Sequence, residues 1–315
     1  MPAPFVHSEY TTVSLKMLVD LARPAAGLTF HKRAIRAKQS GGYISRFKGR
    51  GMEFDEARLY QAGDDIRSID WRVTARTGKT HTKIFREERE RPVFISVDCR
   101  TTMQFATRGV FKSVLAAKIA ALLAWTAHHH GDRIGGQLFF DENCHELKPQ
   151  NGKQAVLHFL NALIIKTHPP TPFKKGAFFS PLEKGGGGDF LYNDLEPVLN
   201  RLLHHVRPSS LVYIISDFRG LTAEAETLLA KLAKHCDVVL MFIYDELEAT
   251  LPNAGQYRFT QNDQDVIFDA NVKKSLDYQQ HFLAKQTHLQ DLAKQRNMIF
   301  IPVNTQADPL ACLKI

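Results

Sequence analysis

Short runs of aliphatic and β-branched residues alternate with segments of helical spacing through the last two-thirds of the chain. The runs are RPVFISVD at 91–98, DRIGGQLFF at 132–140, SLVYIISD at 210–217, DVVLMFIYD at 237–245 and MIFIPVN at 298–304. Each predicts a strand, and the runs at 91–98 and 210–217 suit central, buried strands of a parallel sheet. Between them, 110–130 places Phe111, Val114, Leu115, Ile119, Leu122 and Leu123 at helical intervals and stops at Gly131. Further helices are expected over 153–165, 194–206, 221–235 and 272–296. Strand and helix in alternation imply an α/β chain with an open, mostly parallel sheet and helices on both faces. Such sheets collect ligands at the carboxyl ends of their strands. Asp98 and Asp217, each closing a strand, are therefore the first residues to watch.

Elsewhere the pattern is weaker. Residues 8–22 suggest a short helix that Arg23-Pro24 and Gly27 end. Residues 31–50 are basic and punctuated by glycine, as in an arm. KTHTKIFRE at 79–87 alternates like a strand, and 256–268 suits a hairpin. The stretch 167–190 holds four prolines, Gly176 and Gly185 to Gly188, which marks a mobile surface insertion. The expected organisation is an N-terminal helix and arm at 1–48, a segment at 49–92 packed on the main domain, and the main domain at 93–310.

The formal net charge of +8 is unevenly placed. Residues 1–92 carry 18 Lys/Arg against 11 Asp/Glu, and the remainder 23 against 22. Because acids interleave the bases, as in REERER at 86–91, a solvated, salt-bridged surface is expected ahead of a nucleic-acid groove. The cysteines, Cys99, Cys144, Cys236 and Cys312, have no C-x-x-C spacing, which argues against a cysteine zinc site and fits a reducing compartment. The longest apolar stretch, 113–127, is too short to span a bilayer and contains Lys118. With no signal-peptide pattern, a soluble cytoplasmic protein is expected.

The segment 49–98, GRGMEFDEARLYQAGDDIRSIDWRVTARTGKTHTKIFREERERPVFISVD, is the most distinctive part of the chain. Through Gly51, Glu53, Phe54, Arg58, Tyr60, Gly63, Asp64, Arg67, Ile69, Asp70, Trp71, Ala75, Arg76, Glu88 and Arg91 it resembles the signature of the bacterial domain-of-unknown-function 58 family. The likeness continues more loosely through SLVYIISDFRG at 210–220. The resemblance implies a von Willebrand factor A-like, Rossmann-like domain. It also implies work beside a MoxR-type AAA+ ATPase, and other von Willebrand factor A proteins, in protein assembly, maturation or stress response. Arg58, Tyr60, Asp64, Asp65, Arg67, Asp70, Trp71 and Arg76 become the partner-binding candidates.

Von Willebrand A domains often hold Mg²⁺ through D-x-S-x-S after the first strand, a Thr from a second loop and an Asp from a third. By that pattern the candidate ligands are Asp98, Thr102, Asn193 and Asp217. Hard carboxylate and hydroxyl oxygens suit Mg²⁺. Arg100, however, stands where the first Ser belongs, and a guanidinium repels a cation rather than ligating it. Three arrangements follow: a functional Mg²⁺ site; a metal-free pocket in which Arg100 pairs with Asp98 and Asp217; or Arg100 turned to solvent with the acids capping helices. The second is favoured, so the adhesion site is read as degenerate and no cofactor is required.

Other candidates have plainer explanations. Asp64, Asp65 and Asp70 could form a catalytic carboxylate cluster, but each has an arginine within a few positions and suits a turn that accepts backbone N–H bonds. Trp71 is expected to be packed. His128, His129 and His130 point in different directions from a helix end and cannot converge on one metal, and His204-His205 reads the same way. No G-x-x-x-x-G-K-[ST] loop and no G-x-S-x-G elbow occurs. A non-enzymatic protein-interaction module is thus expected. The alternatives are a metal-dependent hydrolase or nuclease, which needs several converging carboxylates, and nucleic-acid binding through the basic N-terminal third, which predicts steep salt dependence.

Overall fold

The computed structural model describes residues 9–30, 52–87, 92–167, 194–252, 255–261, 264–270 and 272–314. The basic arm, most of the proline- and glycine-rich insertion, and Asn193 lie outside the described residues. Packing divides the chain into two units: Met1–His31 with Arg91–Ile315, and Lys32–Glu90. In chain order, the larger unit begins with α1 (Leu15–Asp20) and α2 (Ala22–Ala25), and the smaller unit contains β1 (Met52–Leu59), α3 (Trp71–Thr77) and β2 (His81–Glu87). The larger unit resumes with β3 (Val93–Asp98), α4 (Lys112–His129), β4 (Ile134–Phe139), β5 (Cys144–Gln150), α5 (Lys153–Thr167) and α6 (Glu196–His205). It ends with β6 (Leu211–Ser216), α7 (Ala223–His235), β7 (Asp237–Tyr244), α8 (Glu246–Ala249), β8 (Gly255–Gln261), β9 (Gln264–Ala270), α9 (Val272–Gln295) and β10 (Ile299–Asn304).

Six strands form one sheet in the order β10-β7-β6-β3-β4-β5. All neighbours run parallel except β4 and β5. The apolar runs alternate faces with period two, and both faces are buried along β3, β4 and β6 and through the middle of β7, whereas the edge strand β10 leaves Pro302 exposed. Val93, Ile95, Val97, Tyr213, Ile215, Val239 and Met241 join a core with α4 and α5, whereas Phe94, Val212, Ile214, Leu240 and Phe242 join a second core with α6, α7 and α9. The result is a Rossmann-like α/β sheet. Two adjacent glycines in β4 are tolerated because the Phe159 ring of α5 packs where a Cβ of Gly136 would lie.

The N-terminal helices dock on α4. Leu18 and Ala25 are buried, the Trp125 indole donates to Leu18 O at 3.0 Å, and His129 Nε2 and His130 Nε2 meet Ala22 O and Leu28 O at 3.0 and 3.2 Å. The two terminal imidazoles of the histidine run thus serve backbone carbonyls at a helix end. Arg23-Pro24 does not break the chain's helical course, because both lie inside α2. A proline in a first turn loses no intrahelical bond, since that N–H has no partner there anyway.

In the smaller unit β1 pairs antiparallel with β2, and the register shifts between Phe54 and Glu56. That irregularity breaks the apolar alternation and explains why β1 is not evident from its sequence. The hairpin β8–β9 pairs from Gly255 with Ala270 to Gln261 with Gln264.

Candidate functional site

From β3 the chain proceeds to β4 on one side of the sheet, and from β6 to β7 and β10 on the other. The β3–β6 boundary is therefore the point where strand order reverses, the place at which open α/β sheets generally carry a ligand crevice at the carboxyl ends of their strands. Asp98 closes β3, and Asp217 follows Ser216, the last residue of β6. Parallel pairing of Val97 with Ile215 brings these ends side by side. All three residues are buried.

Arg100 fills the space between the aspartates. Its Nε and Nη2 donate to Asp98 Oδ1 and Oδ2 at 3.0 and 2.7 Å, a two-pronged pair, and its own amide donates to Asp98 Oδ1 at 3.0 Å. The Ser216 hydroxyl adds a bond to Asp98 Oδ2 at 2.6 Å. Arg100 Nη2 also lies 3.6 Å from Asp217 Oδ1, Nη1 donates to Arg219 O at 3.2 Å, and the guanidinium stands 5.5 Å from the centre of the Phe139 ring. Arg100 is only 2 % exposed, which rules out a side chain turned to solvent. Burial pushes the Asp98 carboxyl above the ordinary aspartate value, and the guanidinium opposes that shift. Burial alone would weaken the Arg100 cation, but the two aspartates more than restore it.

Asp217 is engaged on both oxygens. Lys112 Nζ donates to Oδ2 at 3.1 Å, and the Arg219 amide to Oδ1 at 3.1 Å. Lys112, the first residue of α4, is completely buried and also donates to Glu248 Oε1 at 2.8 Å. The other Glu248 oxygen accepts from the Asp245 amide at 2.9 Å, which completes a capping box on α8. Burial opposes ionisation of Asp217, yet Lys112, Arg100, Lys285 and Arg219 together hold its carboxyl well below the usual range. A third strand-end aspartate, Asp245 after β7, accepts from Leu247 N, Thr107 N and Thr305 Oγ1 at 3.0, 2.9 and 2.8 Å, and from the Thr107 hydroxyl.

These residues do not fit a divalent cation. The oxygens that a metal would need on Asp98 and Asp217 face a guanidinium and an ammonium, and the positive charge of Arg100 stands where the ion would be. Thr102 Oγ1 is buried and has no hydrogen-bond partner among the described residues. Among the described residues, no group of three or more His, Cys, Asp and Glu side chains comes together in a way that could hold a metal.

The remaining candidates belong to the smaller unit. Arg58 Nη2 meets Asp64 Oδ1 at 2.7 Å, the Gln61 amide donates to Asp64 Oδ2 at 2.9 Å, and Tyr60 OH donates to Asp64 O at 3.3 Å. The Gln61 amide and Arg58 hold the Asp64 carboxyl below its ordinary value. Asp65 accepts from the Arg67 amide at 3.0 Å, and Asp70 caps α3 by accepting from Arg72 N and Val73 N at 3.0 and 3.1 Å. These acids therefore organise turns through backbone amides rather than through the Arg67 and Arg72 guanidinium groups. Arg67 and Arg76 are exposed. The expectation that Trp71 is packed is wrong: Trp71 is 67 % exposed, beside Ile66 at 66 % and Leu59 at 54 %. It is the first residue of α3, a helix with no buried residue.

Sequence reasoning missed Lys112, Asp245, Glu248 and Lys285. Asp245 carries the same signal as Asp98 and Asp217, an aspartate ending an apolar run, and Glu248 follows it at capping-box spacing. Lys112 heads a helix and has no pattern that reveals it.

The chain matches the family model described as Protein of unknown function DUF58 over residues 56–289. Uncharacterized proteins of Mycobacterium bovis and Mycobacterium tuberculosis are 27 % identical over 262 residues, covering 82 % of this chain and 77 % of theirs. The crystal structure of a conserved hypothetical protein BatB from Bacteroides thetaiotaomicron superposes with a TM-score of 0.40 at 15 % identity, covering 68 % of this chain and 90 % of that one.

Proposed function

Because the chain belongs to the DUF58 family, we propose that it is a non-enzymatic, von Willebrand factor A-like interaction module that partners a MoxR-type AAA+ ATPase in protein assembly or maturation. The observation that carries this reading is the arginine-filled crevice. Where a Rossmann-like sheet would present ligand-binding groups, both aspartates have their oxygens engaged by Arg100, Ser216, Lys112 and backbone amides. Hydrolysis by two metals needs several carboxylates free to converge on ions, and here the cations come from the chain itself. Binding is then left to surfaces. The exposed Trp71, Ile66 and Leu59 on an arginine-rich unit are the side chains most suited to a protein contact, since aromatic and arginine residues dominate such interfaces.

Co-purification of the tagged full chain with the MoxR-type ATPase of the same organism tests the proposal. Capture that persists in EDTA, and that weakens in Trp71→Ala, is expected. Failure to capture the ATPase, or capture that requires added Mg²⁺ at this chain's Asp98, would overturn it.

A further inference from the structure

A cavity of about 170 Å³ opens beside the ion cluster, between the end of β7 and one face of α9. Its size compares with the roughly 150 Å³ cavity that accepts a benzene ring. Tyr278, His281, Phe282 and Lys285 line it from successive turns of α9, at helical spacing that puts all four on one face. Phe242 also lines it, its ring packed against that of Phe282 at 5.8 Å. The body of the cavity is thus aromatic.

Its polar end is lined by charged groups. The carboxylates of Asp217 and Glu248 border the cavity, but both are consumed within the cluster by Lys112, the Arg219 amide and the Asp245 amide. Four buried acids, Asp98, Asp217, Asp245 and Glu248, stand with four cations, Arg100, Lys112, Arg219 and Lys285. Lys285 is the one of these cations with no carboxylate in direct contact. Its Nζ donates to a neutral acceptor, Asp217 O, at 2.8 Å, and stands 5.5 Å from the Phe242 ring centre. Among the described residues no carboxylate lies within 4.0 Å of it. An ammonium has three donors, and a partly desolvated one without a counter-ion is costly. Burial accordingly lowers the Lys285 ammonium below the ordinary lysine value. Burial also pushes the Tyr278 phenol up to about 12, so it stays a neutral donor.

We infer that this cavity is a binding site for a monocarboxylate with a body about the size of one aromatic ring, its carboxylate paired with Lys285 and its ring against the packed Phe242 and Phe282 side chains. A neutral ring would leave the ammonium unpaired, and a bare inorganic anion would leave the aromatic walls wet. Two sources offer this chemistry, a free aromatic acid and the C-terminal residue of a peptide.

Calorimetric titration of the full chain with phenylacetate and with N-acetyl-Gly-Phe separates the sources, and phenylacetamide serves as the uncharged control. At least one acid is expected to bind in the millimolar range or tighter, with the amide silent. Lys285→Met, similar in volume and free of a buried charge, should weaken the acid by about tenfold or more. In the wild-type chain, ligand-induced amide shifts should centre on 278–285 and 217–219, a readout that needs no variant. Binding of neither acid, equal binding of the amide, or shifts confined elsewhere would overturn the site.

Discussion

Arg58 with Asp64 and Arg100 with Asp98 are both arginine–aspartate pairs at 2.7 Å, and the two do different things. Arg58 with Asp64, in the smaller unit, has side chains 34 % and 11 % exposed, whereas Arg100 with Asp98, at the sheet, has 2 % and 0 %. The first pair pins a turn whose acid is already served by a backbone amide. The second lies in a dry interior, where each partner is the other's main support for being charged. Identical distance therefore says little about energy; solvent access decides it, because water screens one pair and is excluded from the other.

The comparison is most directly broken at Arg100. Arg100→Ala leaves Asp98 buried with a single hydroxyl and amide donors, and should lower unfolding free energy by about 3–5 kcal/mol in urea denaturation. Adding Asp98→Leu to Arg100→Met should recover part of that loss, since an apolar pair of similar volume often replaces a buried ion pair without cost. A change for Arg100→Ala as small as that of a surface site would mean that the crevice is wet.

Acid sharpens the same contrast. Asp217 is held below its ordinary value of 3.8, so its contribution is complete above that pH and is lost as pH falls towards the depressed folded value. Asp98 has the opposite sign: its carboxyl is raised in the folded state, so falling pH through that value protonates it first in the fold and favours folding. Asp217→Asn should therefore flatten the acid limb of a stability–pH series. Lys112, raised above 10.5, adds stability that is present below that pH and lost as pH climbs past the folded value. An acid limb unchanged in Asp217→Asn would contradict this account.

Smaller effects are expected in the other unit. Trp71→Ala should change stability by less than about 0.5 kcal/mol, as exposed sites do, while reducing ATPase capture. Arg58→Ala should have the smallest effect of all, and raising salt should erase it, whereas salt should leave the Arg100 effect in place.

The sheet was legible because both of its faces are buried: runs such as VFISVD and LVYIIS need no partner to declare themselves. β1 was not, since its bulge at Phe54/Glu56 scrambles the period on which such reading depends. Asp98, Arg100 and Asp217 were legible as a group by their position at strand ends and by the arginine in a serine's place. Lys112, Glu248 and Lys285 were not, because they reach the cluster from α4, α8 and α9, 14, 150 and 187 positions along the chain from Asp98. The exposure of Trp71 also lay beyond reach, for an aromatic residue is apolar by composition whichever side of α3 it occupies.

The sequence alone determined the alternation of strands and helices, and hence an open parallel sheet with strand-end aspartates. Local chemistry is sufficient for that: hydrophobic period and turn residues act over a few positions. Which charges meet was decided only by tertiary structure. A lysine on one helix, a glutamate in a capping box and an arginine two residues past a strand acquire their partners when packing removes water, and only then does each charge require the others.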